Sequence, residues 1–193
     1  MTKRQKLTRW WHGGAPGLRV GDRLRPASCL SALPFTYQMA EYETDPERVY
    51  ITPDKVQARA YAAKWRSPET GPTVFGDLYN VRPSAPIEPD PDFAEGVSYT
   101  CLSAVITGVA ERGVRMTSSL LIAGNRYITW DGGGAMYDTA GYMLPSPQMV
   151  ALEIHAEDLR GLGVAPDYDA AEPFVRAILA GRSRNAPRSA QRQ

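Results

Sequence analysis

The segment Arg9-Trp10-Trp11-His12-Gly13-Gly14 decides how the first half of the chain is interpreted. Bulky aromatic residues favour a β-strand, and a pair of glycines lets the backbone turn sharply or approach a ligand closely. A histidine at the end of such a strand is a candidate ligand-binding residue. Taken alone, the six residues favour a simpler interpretation, in which a strand ends in a turn and the histidine has a structural partner.

The composition is that of an ordinary globular protein. Of the 193 residues, 43% are hydrophobic and 22% are charged, which suffices for one domain with a core, or for one domain with an appendage. The 17 glycines and 16 prolines favour a body rich in strands and loops over a helix bundle.

Net charge and cysteine content restrict the partners and the compartment. The formal net charge is +1, so no strong global field favours nucleic acid or an anionic membrane, although a nucleic acid partner stays open. Cys29 and Cys101 are too few for a disulfide framework and lie in no metal-binding motif. No apolar run is long enough to span a membrane, and no apolar segment follows the basic N-terminus as in a signal peptide. We therefore expect a cytoplasmic protein without a membrane partner.

Alternating and helical patterns predict the elements of the first half. Val49-Tyr50-Ile51-Thr52 alternates as a strand does, and Thr52-Pro53-Asp54 then predicts a helix, with Thr52 as its N-cap, that ends near Trp65. Leu78-Tyr79-Asn80-Val81 predicts a second strand, which Pro83 stops. Residues 97–109 predict one or two more strands.

The second half is interpreted from shorter patterns. Ser119–Ala123 and Arg126–Trp130 predict a hairpin, and Met149–Ile154 predicts another strand. Tyr168–Leu179 has helical spacing and is expected to end near Gly181, followed by a basic tail without fixed structure.

Five segments in order resemble the rifamycin-inactivating NAD-dependent ADP-ribosyltransferases over about residues 9–112. That family has a Tyr-Tyr-His-Gly start, a Leu-x-x-Gly-Asp turn, a Val-Tyr-Phe-Thr strand before an alanine-rich helix, an acidic proline-containing run after a strand, and a Ser-Tyr segment. The corresponding segments here are Trp10-Trp11-His12-Gly13, Leu18-Arg19-Val20-Gly21-Asp22, Val49-Tyr50-Ile51-Thr52, Leu78-Tyr79-Asn80-Val81 with the loop to Asp92, and Ser98-Tyr99. No single segment is specific, so the resemblance rests on all five occurring in the same order.

The resemblance implies an α+β fold, in which a small curved antiparallel β-sheet with one or two peripheral helices grips NAD in a cleft. It implies that His12 binds the NAD ribose, that the Gly13 backbone lies near the nicotinamide amide, and that Tyr50 stacks on nicotinamide. Asp90 would be the catalytic acid. Pro89 stands where the family has the first aspartate of its acidic run, so Glu88 and Asp92 are the alternatives to Asp90.

These residue types suit cleavage of the bond between nicotinamide and ribose. The reaction develops an oxocarbenium-like cation, as glycoside hydrolysis does, and a carboxylate can stabilise that charge and orient or deprotonate an acceptor hydroxyl. A stacked tyrosine can hold the leaving nicotinamide, and the reaction needs no metal. The same site would serve an NAD glycohydrolase, and a catalytically inactive NAD-binding or partner-binding module is the third alternative.

The resemblance also divides the chain. Residues 1–8 are expected to be flexible, 9–112 to form the ADP-ribosyltransferase-like core, 113–181 to form a C-terminal extension packed on it, and 182–193 to form the tail. Since antibiotic-modifying enzymes need no such extension, the ADP-ribose acceptor is either a small molecule such as a rifamycin or a macromolecule. The early segment Glu41-Tyr42-Glu43 is interpreted as a solvated loop.

Overall fold

The computed structural model describes residues 9–29, 45–65, 75–84, 86–131 and 133–185. The fold is mixed α+β, which confirms the expected class. The chain forms two compact units, Met1–Tyr127 and Ile128–Gln193, so they divide after residue 127, whereas the resemblance ends near 112. The expected flexible start at 1–8, the loop around Glu41-Tyr42-Glu43 and the end of the tail lie outside the described residues.

The first unit is built on a curled arrangement of two antiparallel sheets. A four-stranded sheet has the order β1-β4-β7-β2, and a three-stranded sheet has the order β3-β6-β5. The strands are β1 Trp10–Gly14, β2 Arg23–Leu24, β3 Val49–Ile51, β4 Asp77–Pro83, β5 Glu88–Pro89, β6 Tyr99–Cys101 and β7 Ala104–Glu111. The strands predicted at Val49, at Leu78 and within 97–109 are thereby confirmed.

Helix α1, Lys55–Lys64, covers one face of β1. Its N-cap is Asp54, whose side chain accepts hydrogen bonds from the Val56 and Gln57 amides, so the prediction of Thr52 as the cap was wrong by two residues. Small side chains let the helix approach the strand closely. They pack with aromatic and aliphatic residues of the sheet in one buried cluster, formed by Trp11, Ala58, Ala60, Ala62, Ala63, Leu78, Val114 and Leu120.

Helix α2, Ser118–Asn125, replaces the hairpin expected from Ser119 onward. Thr117 caps it by accepting a hydrogen bond from the Leu120 amide. The run Leu120-Leu121-Ile122 is apolar on every residue, a pattern that does not distinguish a helix from a strand, and the cap decides in favour of the helix.

A buried aspartate fastens the end of the four-stranded sheet. Asp77 is 2% exposed, and its carboxylate accepts hydrogen bonds from the Gly17 and Gly113 amides, the Tyr79 hydroxyl and the Arg112 guanidinium. Burial opposes ionisation, but the two amides, the guanidinium and the hydroxyl together outweigh it and lower the pKa of Asp77. Burial, together with the neighbouring carboxylate, raises the pKa of Tyr79, which keeps its hydroxyl protonated as a donor.

The second unit is mainly helical in its described part. It contains α3 Pro147–Ala151, α4 Ala156–Leu159 and α5 Tyr168–Asn185, around a core of Trp130, Met136, Tyr137, Met143, Ile154, Leu159, Ala171 and Val175. The strand predicted at Met149–Ile154 is therefore wrong, since Ser146 and Pro147 begin a helix there. Helix α5 also continues through Gly181 to Asn185, past its expected end.

The described residues contain five α-helices and two short 3-10 segments, Ala27–Cys29 and Arg160–Leu162. One of the five α-helices, Lys55–Lys64, lies in the described part of residues 9–112, for which the resemblance implied one or two peripheral helices. None of the helices in the described ranges has the length and apolar character needed to cross a membrane.

Candidate active site

His12 lies where the two sheets separate. Strands β1 and β3 are joined at a single bridge, in which Trp11 and Thr52 exchange backbone hydrogen bonds of 2.9 and 3.0 Å. In an antiparallel ladder the next such exchange would join Gly13 and Tyr50. The described pairing does not continue to them. The Nδ1 atom of His12 instead lies 2.9 Å from the Tyr50 carbonyl oxygen.

This hydrogen bond fixes the tautomer of the imidazole. A carbonyl can only accept, so Nδ1 carries the proton and donates it, which leaves Nε2 of the neutral ring as an acceptor. Burial lowers the pKa of His12 by more than the Tyr50 bond raises it, so the ring is neutral at physiological pH. A neutral Nε2 can accept a hydrogen bond from a ligand hydroxyl.

The Gly13 backbone faces the gap between the sheets. Because the Trp11 amide and carbonyl point toward β3, and alternate residues of a strand point their backbone groups the same way, the Gly13 amide and carbonyl also point toward β3. At that position no described strand pairs with them. Gly13 therefore has a donor and an acceptor side by side, both without a partner in a described strand.

Packing explains both glycines. A Cβ at Gly13 would lie 1.8 Å from the Ala58 carbonyl oxygen and 2.6 Å from the Ala62 nitrogen, both in the backbone of α1. A Cβ at Gly14 would lie 2.4 Å from Nε2 of His12. The first glycine admits the helix, and the second leaves room for the imidazole, so the sequence Gly-Gly serves two different contacts.

Tyr50 contributes its carbonyl to His12 and its ring to another contact. Its side chain points away from Val49 and Ile51, which are buried in the core. Its hydroxyl accepts a hydrogen bond of 2.7 Å from the Asp45 amide, and the residue is half-buried. The ring is thus held at its far end by the Asp45 backbone.

Asp90 is the buried member of the acidic run. It is 3% exposed and follows β5, whereas Glu88 and Asp92 are exposed. One of its carboxylate oxygens accepts a hydrogen bond of 3.1 Å from the Asp92 amide. Glu88 forms an ion pair of 3.1 Å with Arg48. Of the three acids considered, Asp90 alone is shielded from solvent.

Strand register relates Asp90 to Tyr50. Tyr50, Thr100 and Glu88 are successive partners across β3, β6 and β5, and Asp90 is two residues after Glu88, so Asp90 shares the face of Tyr50. Two strand spacings, about 10 Å, separate the backbones of β5 and β3. The fold therefore brings His12 and Tyr50 into contact and places Asp90 across one strand from them.

Thr52 is the site-forming residue that the sequence interpretation assigned to another role. Its hydroxyl accepts a 3.0 Å hydrogen bond from the Asp54 amide and lies 2.7 Å from the Val97 carbonyl oxygen, so it ties the start of α1 to the chain before β6. It thereby holds the bridge from which the two sheets separate. The position of Thr52, directly after the strand Val49–Ile51, is the feature of the sequence that could have indicated this role.

A second polar cluster at the start of α1 was also missed. The Asp54 carboxylate, besides capping α1, accepts hydrogen bonds from Arg126 and Tyr127. Burial opposes its ionisation, but Tyr127, the helix amides and Arg126 outweigh that effect and lower the pKa of Asp54. The cluster borders a surface cleft of about 420 Å³ with Pro53, Lys55, Gly96 and Val97.

The described residues contain no cluster of histidine, cysteine and acidic side chains that could hold a metal ion. No protein-family model matches the chain, and no curated protein sequence is significantly similar to it.

Proposed function

We propose that the chain is an NAD-dependent mono-ADP-ribosyltransferase, which transfers ADP-ribose from NAD to an acceptor nucleophile and releases nicotinamide. The observation that carries the proposal is the His12 bond to the Tyr50 carbonyl at the separation of β1 and β3. There the Gly13 amide and carbonyl point toward β3 without a described strand partner, and these are groups that a nicotinamide carboxamide can bind through two hydrogen bonds.

The remaining residues supply the rest of a glycosyl-transfer site. The neutral Nε2 of His12 accepts a hydrogen bond from a ribose hydroxyl, and the Tyr50 ring stacks on nicotinamide. Asp90 stabilises the oxocarbenium-like cation electrostatically as the bond to nicotinamide breaks. Its burial supports this role, because a carboxylate shielded from water interacts more strongly with a developing positive charge.

Two alternative functions are compatible with the same residues. With water as the acceptor, the same site would make the protein an NAD glycohydrolase. The Asp90 carboxylate already accepts the Asp92 amide, as a purely structural turn aspartate would, so a module that binds NAD without turnover is the second candidate.

Nicotinamide release from NAD, measured by chromatography with and without a rifamycin, tests the proposal. The variants His12→Ala, Tyr50→Ala and Asp90→Asn should each reduce release by about 100-fold or more, as loss of a positioned catalytic group does. His155→Ala, which changes the other histidine, and Asp92→Asn, which keeps its backbone amide, are the matched controls and should retain activity.

The outcomes separate the alternatives. Release that increases with the rifamycin and yields a drug adduct identifies the acceptor, and release without any adduct identifies a glycohydrolase. Calorimetric binding of NAD without release identifies an inactive module. Neither release nor binding, from protein whose folding is verified by circular dichroism, contradicts the proposal.

A further inference from the structure

The register of the four-stranded sheet places three arginines in one row. Arg82 on β4 pairs with Val105 on β7, and Val105 pairs with Arg23 on β2, so the two arginines share a face. Arg9 directly precedes β1, and its guanidinium carbon lies 5.8 Å from the centroid of the Trp11 ring, which puts it on the same face. All three are exposed.

These three arginines have no acidic partner within the described part of the chain. No ion pair or side-chain hydrogen bond involves Arg9, Arg23 or Arg82 there. Glu111 lies toward the other end of this face, opposite Leu78, and Arg59 binds it through two hydrogen bonds of 2.7 and 2.9 Å. The arginines that do form ion pairs are Arg48, Arg59, Arg112, Arg126, Arg160, Arg176 and Arg182.

Helix α1 covers only half of this face. It packs on Trp11, Gly13 and Leu78, whereas among the described residues the arginines of the other half are exposed. A shallow groove of about 620 Å³ runs there, and Arg9, Arg82, Asn80 and Gly108 are among the residues that line it. The open half thus combines unpaired guanidinium groups, a side-chain amide and a floor without a side chain.

We propose that this arginine face binds the phosphate backbone of a single-stranded nucleic acid. Guanidinium groups bind phosphates through paired hydrogen bonds, and a sheet face with a shallow groove suits an extended strand. From β1 to β2 the row spans three strand spacings, about 14 Å, which is long enough to contact several phosphates of one strand. A single free phosphate or nucleotide could engage only part of it.

The net charge of the chain gives no indication of this arginine face. A net charge of +1 gave no reason to favour nucleic acid, but that value is a sum over the whole chain. Among the described residues, seven arginines form ion pairs with neighbouring acids, whereas Arg9, Arg23 and Arg82 form none and share one exposed face. The inference is independent of the proposed NAD chemistry, since none of its residues belongs to the site at His12.

Fluorescence anisotropy with a labelled single-stranded oligonucleotide of about 20 nucleotides, as DNA and as RNA, tests the proposal. The triple variant Arg9→Ala/Arg23→Ala/Arg82→Ala is compared with Arg115→Ala/Arg160→Ala/Arg176→Ala, which removes the same charge elsewhere. If three phosphates are bound, the slope of log affinity against log salt should be about −2 for the wild-type protein and near zero for the first variant. We expect that variant to bind at least about tenfold more weakly in low salt.

Three results would overturn the inference. The wild-type protein could fail to bind either oligonucleotide, or the two triple variants could lose affinity equally. Inorganic pyrophosphate at micromolar concentration could also compete fully with the oligonucleotide, which would identify a site for a small anion. Circular dichroism of both variants verifies that they fold, and nicotinamide release is not needed for any of these readouts.

Discussion

Replacing Gly13 by alanine should destabilise the first unit strongly. The added Cβ would lie 1.8 Å from the Ala58 carbonyl oxygen and within 2.9 Å of the Ala58 carbonyl carbon, and both are backbone atoms that cannot rotate away. Helix α1 must therefore move off β1, which separates Trp11 and Leu78 from the alanines that they pack against. Overpacking of this kind costs about 3 kcal/mol.

Gly108→Ala is the matched control, since it makes the same substitution in another strand of the same sheet. There the three atoms nearest to the added Cβ all belong to the Asn80 side chain and lie at 3.5 Å or more, which is ordinary van der Waals contact. We expect a change within about 0.5 kcal/mol.

Hydrogen exchange measured by mass spectrometry on peptides from β1 and α1 gives the free energy of opening for this unit separately from residues 128–185. Equal opening free energies in Gly13→Ala and Gly108→Ala would refute the close packing of α1 on β1.

Three further perturbations test the site and the sheet. Gly14→Ala should cost little stability, because the atom it meets is the movable Nε2 of His12 at 2.4 Å, but it should displace the imidazole and abolish NAD binding in calorimetry. The midpoint of the His12 titration, followed by NMR, should lie below the value of about 6.5 for an unfolded histidine. The unfolded state then binds the proton more readily than the folded state. The free energy of unfolding should therefore rise with pH between the lowered pKa of the folded state and the unfolded value, and His12→Gln should remove this rise. Asp77→Asn should lower the melting temperature of the first unit through a loss of about 3 kcal/mol, whereas Glu172→Gln, in an exposed pair, should change stability by less than about 0.5 kcal/mol. The Asp77 contribution is complete above the pKa of an unfolded aspartate, about 3.9, and is lost as the pH falls through the lower pKa of the folded state, so acid unfolding should become less steep in Asp77→Asn. An acid transition in Asp77→Asn equal to that of the wild-type protein would contradict the conclusion that the ionised Asp77 carboxylate stabilises the first unit.

Local patterns predicted the elements that have both a clear period and a clear boundary. The strand at Val49 was predicted because its alternation is followed by Thr52-Pro53-Asp54, and the error of two residues in the cap arises because all of these can begin a helix. Leu120-Leu121-Ile122 has no period, so only Thr117 could have identified the helix. At Met149 the stronger signal was Ser146-Pro147 upstream.

The site was predictable only as a set of residue types. His12 and Tyr50 are 38 positions apart. No local sequence pattern predicts that the His12 imidazole, and not the Gly13 amide, binds the Tyr50 carbonyl. The arginine row required the register of four strands, which brings together Arg9, Arg23 and Arg82 from distant segments. Long-range pairing therefore determined both surfaces, and sequence patterns do not contain it.

Strands β1 and β3 separate before Gly13 can pair with Tyr50. A ligand that takes the place of this pairing must match the backbone groups of Gly13. In an extended residue the N–H and C=O groups point to the same side. A ligand must then present an acceptor and a donor along one edge. Primary carboxamides and lactams do so, because their C=O and one N–H are cis, whereas trans secondary amides place the two groups on opposite sides and carboxylates have no donor. If the proposed function holds, the site should therefore bind nicotinamide and exclude nicotinic acid and N-methylnicotinamide.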